Sequence, residues 1–366
     1  MPESMKGAAL VALRKFEIRE YAVPEPGDFD VIVKTSVTGI CTSDVSYATV
    51  PGQLGDDNFP RVLGHETAGW VSKVGKKVAD FVPGMRVVVD PVQSDPNSYY
   101  VERGEGNLDL GNVTGISYDG GFGQYFRSHR RYVHALPDSV TFEQAASIEP
   151  AACSLHAVDM TSLEKGEAVA VLGDGPTGIL MTQLAHAEGA GAVFLIGAHD
   201  FRLERAKAAK APARGPDFVI NSRDERSKYY VGDAEGITRF IRKHNRGMLP
   251  RRVVVTARGP AQKIGWDLGG PGARVIFFNL PKPDDTFTIE QLPAMLLEKQ
   301  YRQAWLAPGT SWPRTIHHLH TGHLDVGSIQ THKGWELSRL WDGVLKAKDA
   351  KDECIKVIVR LAESFA

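Results

Sequence analysis

The sequence predicts an α/β protein in two parts: a β-rich, mostly antiparallel unit, and a doubly wound parallel sheet inserted into it. Three observations carry this expectation. Short strand-like runs punctuated by Gly and Pro fill residues 7 to about 135. Near residue 167 the pattern changes to apolar runs separated by segments able to hold helices. A last strand-like run, Ile355-Lys356-Val357-Ile358-Val359, is expected to rejoin the first part. At 366 residues the chain has the length of two domains. The expected boundaries are 1–152 with 306–366 for the β-rich unit, and 153–305 for the insertion.

In the first unit, Val31-Ile32-Val33-Lys34-Thr35-Ser36-Val37 and Met85-Arg86-Val87-Val88-Val89 read as strands, and Pro24, Pro26, Pro51, Pro60 and Pro83 separate such runs. Thr141 to Ala146 reads as a helix start, with Thr141 or Ser139 as its cap. The second unit opens with the apolar run Glu167 to Leu172. Gly173-Asp174-Gly175-Pro176-Thr177-Gly178 follows, then a helical stretch from Ile179 to Glu188 and a second apolar run, Ala192 to Ile196. This is a strand, glycine turn, helix and strand, the context in which G-x-G-x-x-G binds a dinucleotide. Gly173 permits the tight turn, Gly175 lets backbone approach a pyrophosphate, and Gly178 lets the helix sit against the strand. The helix start, with Pro176 and Thr177, offers N–H groups to the phosphates. Further runs at 217–220, 252–255 and 274–278 extend the parallel sheet.

Composition excludes several functions. Hydrophobic residues make up 42% and charged residues 24%, as in an ordinary globular chain. The net charge of -1 gives no electrostatic case for nucleic acid or an anionic membrane surface. No apolar run approaches the roughly 18 residues of a membrane span. The first residues lack the apolar core of a secretory signal, and Glu363-Ser364-Phe365-Ala366 is not a peroxisomal address. Three scattered cysteines, Cys41, Cys153 and Cys354, point to a reducing compartment, so a cytoplasmic protein is expected.

Two motifs in the first unit carry chemistry. Gly64-His65-Glu66-Thr67-Ala68-Gly69 is followed at fixed distance by Gly75, and Gly39-Ile40-Cys41-Thr42-Ser43-Asp44 precedes it. With Ile148-Glu149-Pro150 they supply thiolate, imidazole and carboxylate, the usual ligand types of zinc. The whole spaced pattern resembles the zinc-containing medium-chain alcohol and polyol dehydrogenases.

That resemblance implies a GroES-like catalytic domain with a Rossmann cofactor domain. It implies one catalytic zinc held among Cys41, His65, Glu66 and Glu149. Whether Glu66 or Glu149 binds directly, and whether through water, stays open at this point. Simple alcohol dehydrogenases of the family carry cysteine at position 149, so the glutamate implies the polyol branch. Asp44 would fix the tautomer of His65. Ser43 would begin a proton relay. Ser46 stands where a histidine often follows, which leaves the last proton acceptor open. Tyr47 and Cys153 would line the substrate pocket, and Lys356 would face the cofactor pyrophosphate. The four cysteine positions of the family's structural zinc hold Asp95, Ser98, Val101 and Asp109, so no structural zinc is expected. The tract His317, His318, His320, His323 is expected on a surface helix.

The cofactor form is read from the end of the second strand of the parallel sheet. There, NAD-binding chains usually carry an acid for the adenosine ribose. Alignment on Arg202-Leu203 puts Gly197 at that place, with His199 and Arg202 able to meet a 2′-phosphate, so NADP(H) is expected over NAD(H). In a shifted register Asp200 would be the acid. The expected activity is hydride transfer between NADP(H) and a small alcohol or polyol, or its carbonyl. A biosynthetic reductase of a larger ketone, imine or enal is the second reading; Trp305 and Trp312 fit an unusual pocket or, equally well, a subunit interface. A cofactor-binding protein without catalysis is the third. A homo-oligomer, dimer or tetramer, is expected.

Overall fold

The computed structural model describes residues 3–55, 58–109, 111–281 and 286–361. Two compact units divide it: the described residues within 1–150, 308–316 and 330–366, and those within 151–307 and 317–329. The stretch 317–329 groups with the second unit, although the sequence assigned all of 306–366 to the first. Packing accounts for this. Gln183, on a helix of the parallel-sheet unit, donates to the Asp325 carbonyl (3.2 Å) and the Ser328 hydroxyl (2.9 Å), and the Arg205 Nε donates to the Ser328 carbonyl (3.0 Å).

The first unit is built on a largely antiparallel sheet. Its order is Val133–Ala135, Arg86–Val89, Glu66–Val74, Asp30–Gly39, Lys356–Arg360 and Gln330–Glu336, with Tyr125–His129 also pairing Asp30–Gly39. Alternating apolar residues give it a buried face, where Val31, Val33, Val71, Val87, Val89 and Phe126 pack together. The late strand does rejoin this unit, pairing antiparallel with Asp30–Gly39.

Register then sets up the chemistry. Gly39 pairs with Glu66 on one side and Ile358 on the other. Three strand ends therefore meet beside Cys41, His65 and Lys356. A Cβ at Gly39 would lie 3.1 Å from the Ala146 carbonyl oxygen and overlap the Glu66 carboxylate outright, so a side chain here would expel that carboxylate.

The second unit holds a six-stranded, all-parallel sheet. Its order is Phe218–Asn221, Ala192–Gly197, Ala168–Leu172, Arg252–Val255, Arg274–Phe277 and Gln300–Gln303. The first strand in sequence lies inside, and the chain turns to opposite sides of it, which creates a crevice at the carboxyl ends of the central strands. Phe194, Ile196, Val253, Val255 and Phe277 are buried in its core, as expected for strands covered on both faces.

Candidate active site

Cys41 closes the loop after the strand Asp30–Gly39 and caps the helix Thr42–Thr49. Its N–H donates to the Asp44 carboxylate at 2.9 Å, which fixes the first turn and with it Ser43. His65 immediately precedes the strand Glu66–Val74. One ligand atom from each of Cys41, His65 and Glu66 lies within 4.8 Å of the others, and among the described residues this is the one such cluster of metal-ligating side chains. His65 and Glu66 are buried, and Cys41 is half-buried.

The imidazole is held from two sides. Ser43 Oγ lies 3.2 Å from His65 Nε2, and Asp44 Oδ1 lies 3.5 Å from Nδ1. That second contact is too long for a good hydrogen bond, and neither Nδ1 nor Oδ1 has another partner among the described residues. Burial pushes the His65 imidazole down, but the carboxylate of Asp44 and the thiol of Cys41 outweigh it and set the ring well above its ordinary value. Cys41, His65 and a carboxylate are a donor set that suits zinc, with Asp44 placed to orient the ring from behind.

Glu149 lies outside the trio, in the first turn of the helix Ile148–Met160, and is buried. It is close enough for its charge to act on Lys356 and Asp90. Cys153 follows one turn later on that helix, also buried, and is not part of the cluster. Tyr47 sits near the trio, and burial, with smaller effects of His65, Asp44 and Cys41, leaves its phenol above its ordinary value.

Lys356, expected to face a pyrophosphate, meets a carboxylate of its own unit. Its ammonium donates to both Glu66 oxygens, at 2.6 and 2.7 Å, and to the Ile40 carbonyl at 3.2 Å. The reason is the register just described, which lays Lys356 beside the Glu66 end of the sheet. Burial pulls the ammonium down, but Glu66 and then Cys41 hold it above its ordinary value. Sequence reasoning missed this partner of Glu66.

The positions of the family's cysteine lobe do other work. Asp95 accepts from the Asn97 N–H (2.9 Å), the Ser98 hydroxyl accepts from the Val101 N–H (3.3 Å), and Val101 is buried. In the histidine tract, His318 Nε2 meets Glu188 at 2.9 Å, and His317, His320 and His323 are exposed.

The second unit carries a cleft of about 600 Å³ at the strand ends. Gly173, Asp174, Gly197, His199, Ser222, Arg223 and Arg258 are among its walls. Gly173 has φ +126°, open to glycine alone at little cost. Pro176 begins the helix Pro176–Ala187, whose start at Gly175 has no side-chain cap, and a Cβ at Gly175 would meet nothing within 4 Å. An open, uncapped helix start over a glycine turn suits a dinucleotide phosphate. Thr177 and Gly178 occupy the first turn, with the Thr177 carbonyl accepting from Ser154 Oγ at 3.3 Å.

The residues expected to choose the cofactor form have protein partners here. Asp200 is committed elsewhere, accepting from Asn221 Nδ2 (2.7 Å) and Ser227 Oγ (2.6 Å). His199 and Arg202 both turn toward Asp174, at 3.1 and 4.0 Å. A carboxylate thus stands beside Gly197, paired with the two residues expected to meet a 2′-phosphate.

A relative named sorbitol dehydrogenase, from Bacillus subtilis (strain 168), is 30% identical over 98% of both chains. The chain belongs to the zinc-type medium-chain dehydrogenase family. Within that family it falls in the polyol dehydrogenase branch and is an alcohol dehydrogenase in kind. Residues 27–138 match the alcohol dehydrogenase GroES-like domain. The sorbitol dehydrogenase of Macaca fascicularis is 34% identical over 86% of this chain and 85% of its own. A solved structure described as a short chain alcohol dehydrogenase from E. coli CFT073, complexed with NADH, superposes with a TM-score of 0.85. It is 25% identical and covers 98% of this chain and 100% of its own.

Proposed function

We propose that the chain is a zinc-dependent dehydrogenase that moves a hydride between a nicotinamide dinucleotide and a polyol or simple alcohol, or the matching carbonyl in reverse. One observation carries the reading: a thiol, an imidazole and a carboxylate from Cys41, His65 and Glu66 gathered within 4.8 Å. Zinc bound there would polarise a substrate oxygen, and the nicotinamide would take or give the hydride.

The chain's own residues divide the remaining work. Cys41 and His65 hold the metal, with Glu66 or Glu149 as the carboxylate; separate Glu66→Gln and Glu149→Gln variants, scored by zinc affinity, tell which. Asp44 orients His65 from the Nδ1 side. Ser43 Oγ, 3.2 Å from His65 Nε2, takes the proton of a substrate hydroxyl and passes its own to water. Tyr47, its phenol raised by burial, stays neutral and donates a hydrogen bond. NADP(H) as the preferred form rested on Gly197, and the Asp174 carboxylate now weighs against it.

A dimer or tetramer belongs to the same reading. The strand Gln300–Gln303 ends the parallel sheet with all four residues exposed. In the helix Gln291–Leu296 just before it, Leu292, Met295 and Leu296 are also exposed. An uncovered sheet edge beside apolar side chains suits a second copy of the chain.

Metal analysis with a panel of polyols, alcohols and carbonyls tests the proposal. The expected result is about one zinc per chain, lost in Cys41→Ser, with polyol oxidation by the zinc-loaded protein. Zinc without turnover on any substrate favours a cofactor-binding protein. Turnover confined to bulky ketones, imines or enals favours a biosynthetic reductase.

A further inference from the structure

The turn between Gly173 and Gly175 reaches across to the end of the neighbouring strand. There, Asp174 Oδ2 accepts from the Ala198 N–H at 2.7 Å and the His199 N–H at 2.8 Å. His199 Nδ1 lies 3.1 Å from Oδ2 and 3.3 Å from Oδ1. A Cβ at Gly197 would stand 2.7 Å from both Asp174 Cβ and Oδ2. Only a glycine at 197 leaves room for this carboxylate. The absent acid and the present one are thus two halves of one arrangement.

We infer that Asp174 is the specificity-determining acid of the cofactor site, accepting the adenosine ribose hydroxyls in place of the missing acid at 197 and selecting NAD(H) over NADP(H). The inference rests on the dehydrogenase reading above. Asp174 lines the cleft at the strand ends, where the ribose of a dinucleotide lies in such a sheet. A carboxylate accepts about four hydrogen bonds, and among the described residues Oδ1 meets His199 at 3.3 Å and Arg202 at 4.0 Å. Burial pushes this carboxyl up, but His199, the Ala198 N–H and Arg202 outweigh it and hold it ionised. A 2′-phosphate would meet that anion at short range. The two N–H groups that could have cradled it are already taken. Arg223 and Arg258, exposed on the cleft wall, are the cations left to a phosphate, so both dinucleotides belong in the test.

The experiment is titration of the protein with NADH and with NADPH, followed by nicotinamide fluorescence. It uses the unmodified chain, Asp174→Asn, and the exchange variant Asp174→Gly with Gly197→Asp, since any Cβ left at 174 would clash with one at 197. The unmodified chain is expected to bind NADH at least about tenfold more tightly than NADPH. Asp174→Asn should lose about tenfold in NADH affinity and none in NADPH affinity. The exchange variant, which moves the carboxylate back onto the strand end, should recover the NADH preference. Equal losses for both dinucleotides in Asp174→Asn would reduce Asp174 to a structural brace and overturn the inference. A native preference for NADPH would also overturn it while leaving the dehydrogenase reading intact. Binding of neither dinucleotide would overturn both.

Discussion

Lys356 and Glu66 form an ion pair that is 3% and 0% exposed at its two side chains. Removing the ammonium leaves a buried carboxylate without its partner, which costs about 3–5 kcal/mol. Lys356→Met should therefore lower the stability of the metal-free protein by about that amount in denaturant unfolding, and Glu66→Gln in the same chain should recover much of it. Ser43→Ala should cut turnover on alcohols about a hundredfold and alter its pH profile. Undiminished turnover with an unchanged profile would remove Ser43 from the scheme. His134 gives a prediction on stability. It stacks on Trp312 with centroids 5.3 Å apart, and burial pulls its imidazole down to about 4. Its ring stays neutral in the folded chain while the unfolded ring takes a proton below its ordinary 6.5. Stability should then be full above about pH 6.5, fall as pH drops toward 4, and lose up to about 3 kcal/mol from this group. His134→Phe keeps the stack and should flatten that slope. The relay position of Ser43 was legible in the sequence, but neither the Lys356–Glu66 pair nor the His134–Trp312 stack was. Lys356 is 290 positions from Glu66, and only strand register brings them together.

The elements themselves were far more legible. Short apolar runs bounded by Gly and Pro, or by helical segments, marked the strands of both sheets, and the capping pattern at Thr141 marked a helix start, observed with Gln144 N–H donating to the Thr141 hydroxyl at 3.2 Å. The glycine turn between strand and helix located the dinucleotide cleft. What escaped was the side chain inside that turn. Asp174 reads as a filler between two glycines until the parallel pairing of Ala168–Leu172 with Ala192–Gly197 lays it against Gly197. The segment 317–329 escaped for a similar reason, since its partners Gln183 and Arg205 lie far back in the chain. The central strands also supply much of the second unit's buried core. Phe194 is fully buried there, stacked on Phe218 with centroids 4.8 Å apart. Phe194→Ala should cost about 3–5 kcal/mol in the unfolding of that unit. A smaller loss would mean that the site collapses around the cavity.

At the scale of the molecule, one unit gathers side chains of metal-ligating type and the other opens a cleft at the ends of parallel strands. Each was foreseeable from a short motif because zinc and a dinucleotide both demand particular residues at particular spacings. Substrate choice has no such signature, because pocket walls are set by packing. The exposed Leu292, Met295 and Leu296 predict an oligomer: sizing in solution should give at least twice the 40.0 kDa chain mass, and Leu296→Asp should shift it toward the monomer. A monomeric native protein would contradict that assignment. The central claim is that a metal at Cys41 and His65 works with a dinucleotide on polyols. Its most direct test follows dinucleotide reduction by the chelator-stripped protein on a polyol panel, before and after zinc is returned. The stripped protein should show no turnover, and full turnover should return once about one zinc per chain is bound. Undiminished turnover without metal would contradict it.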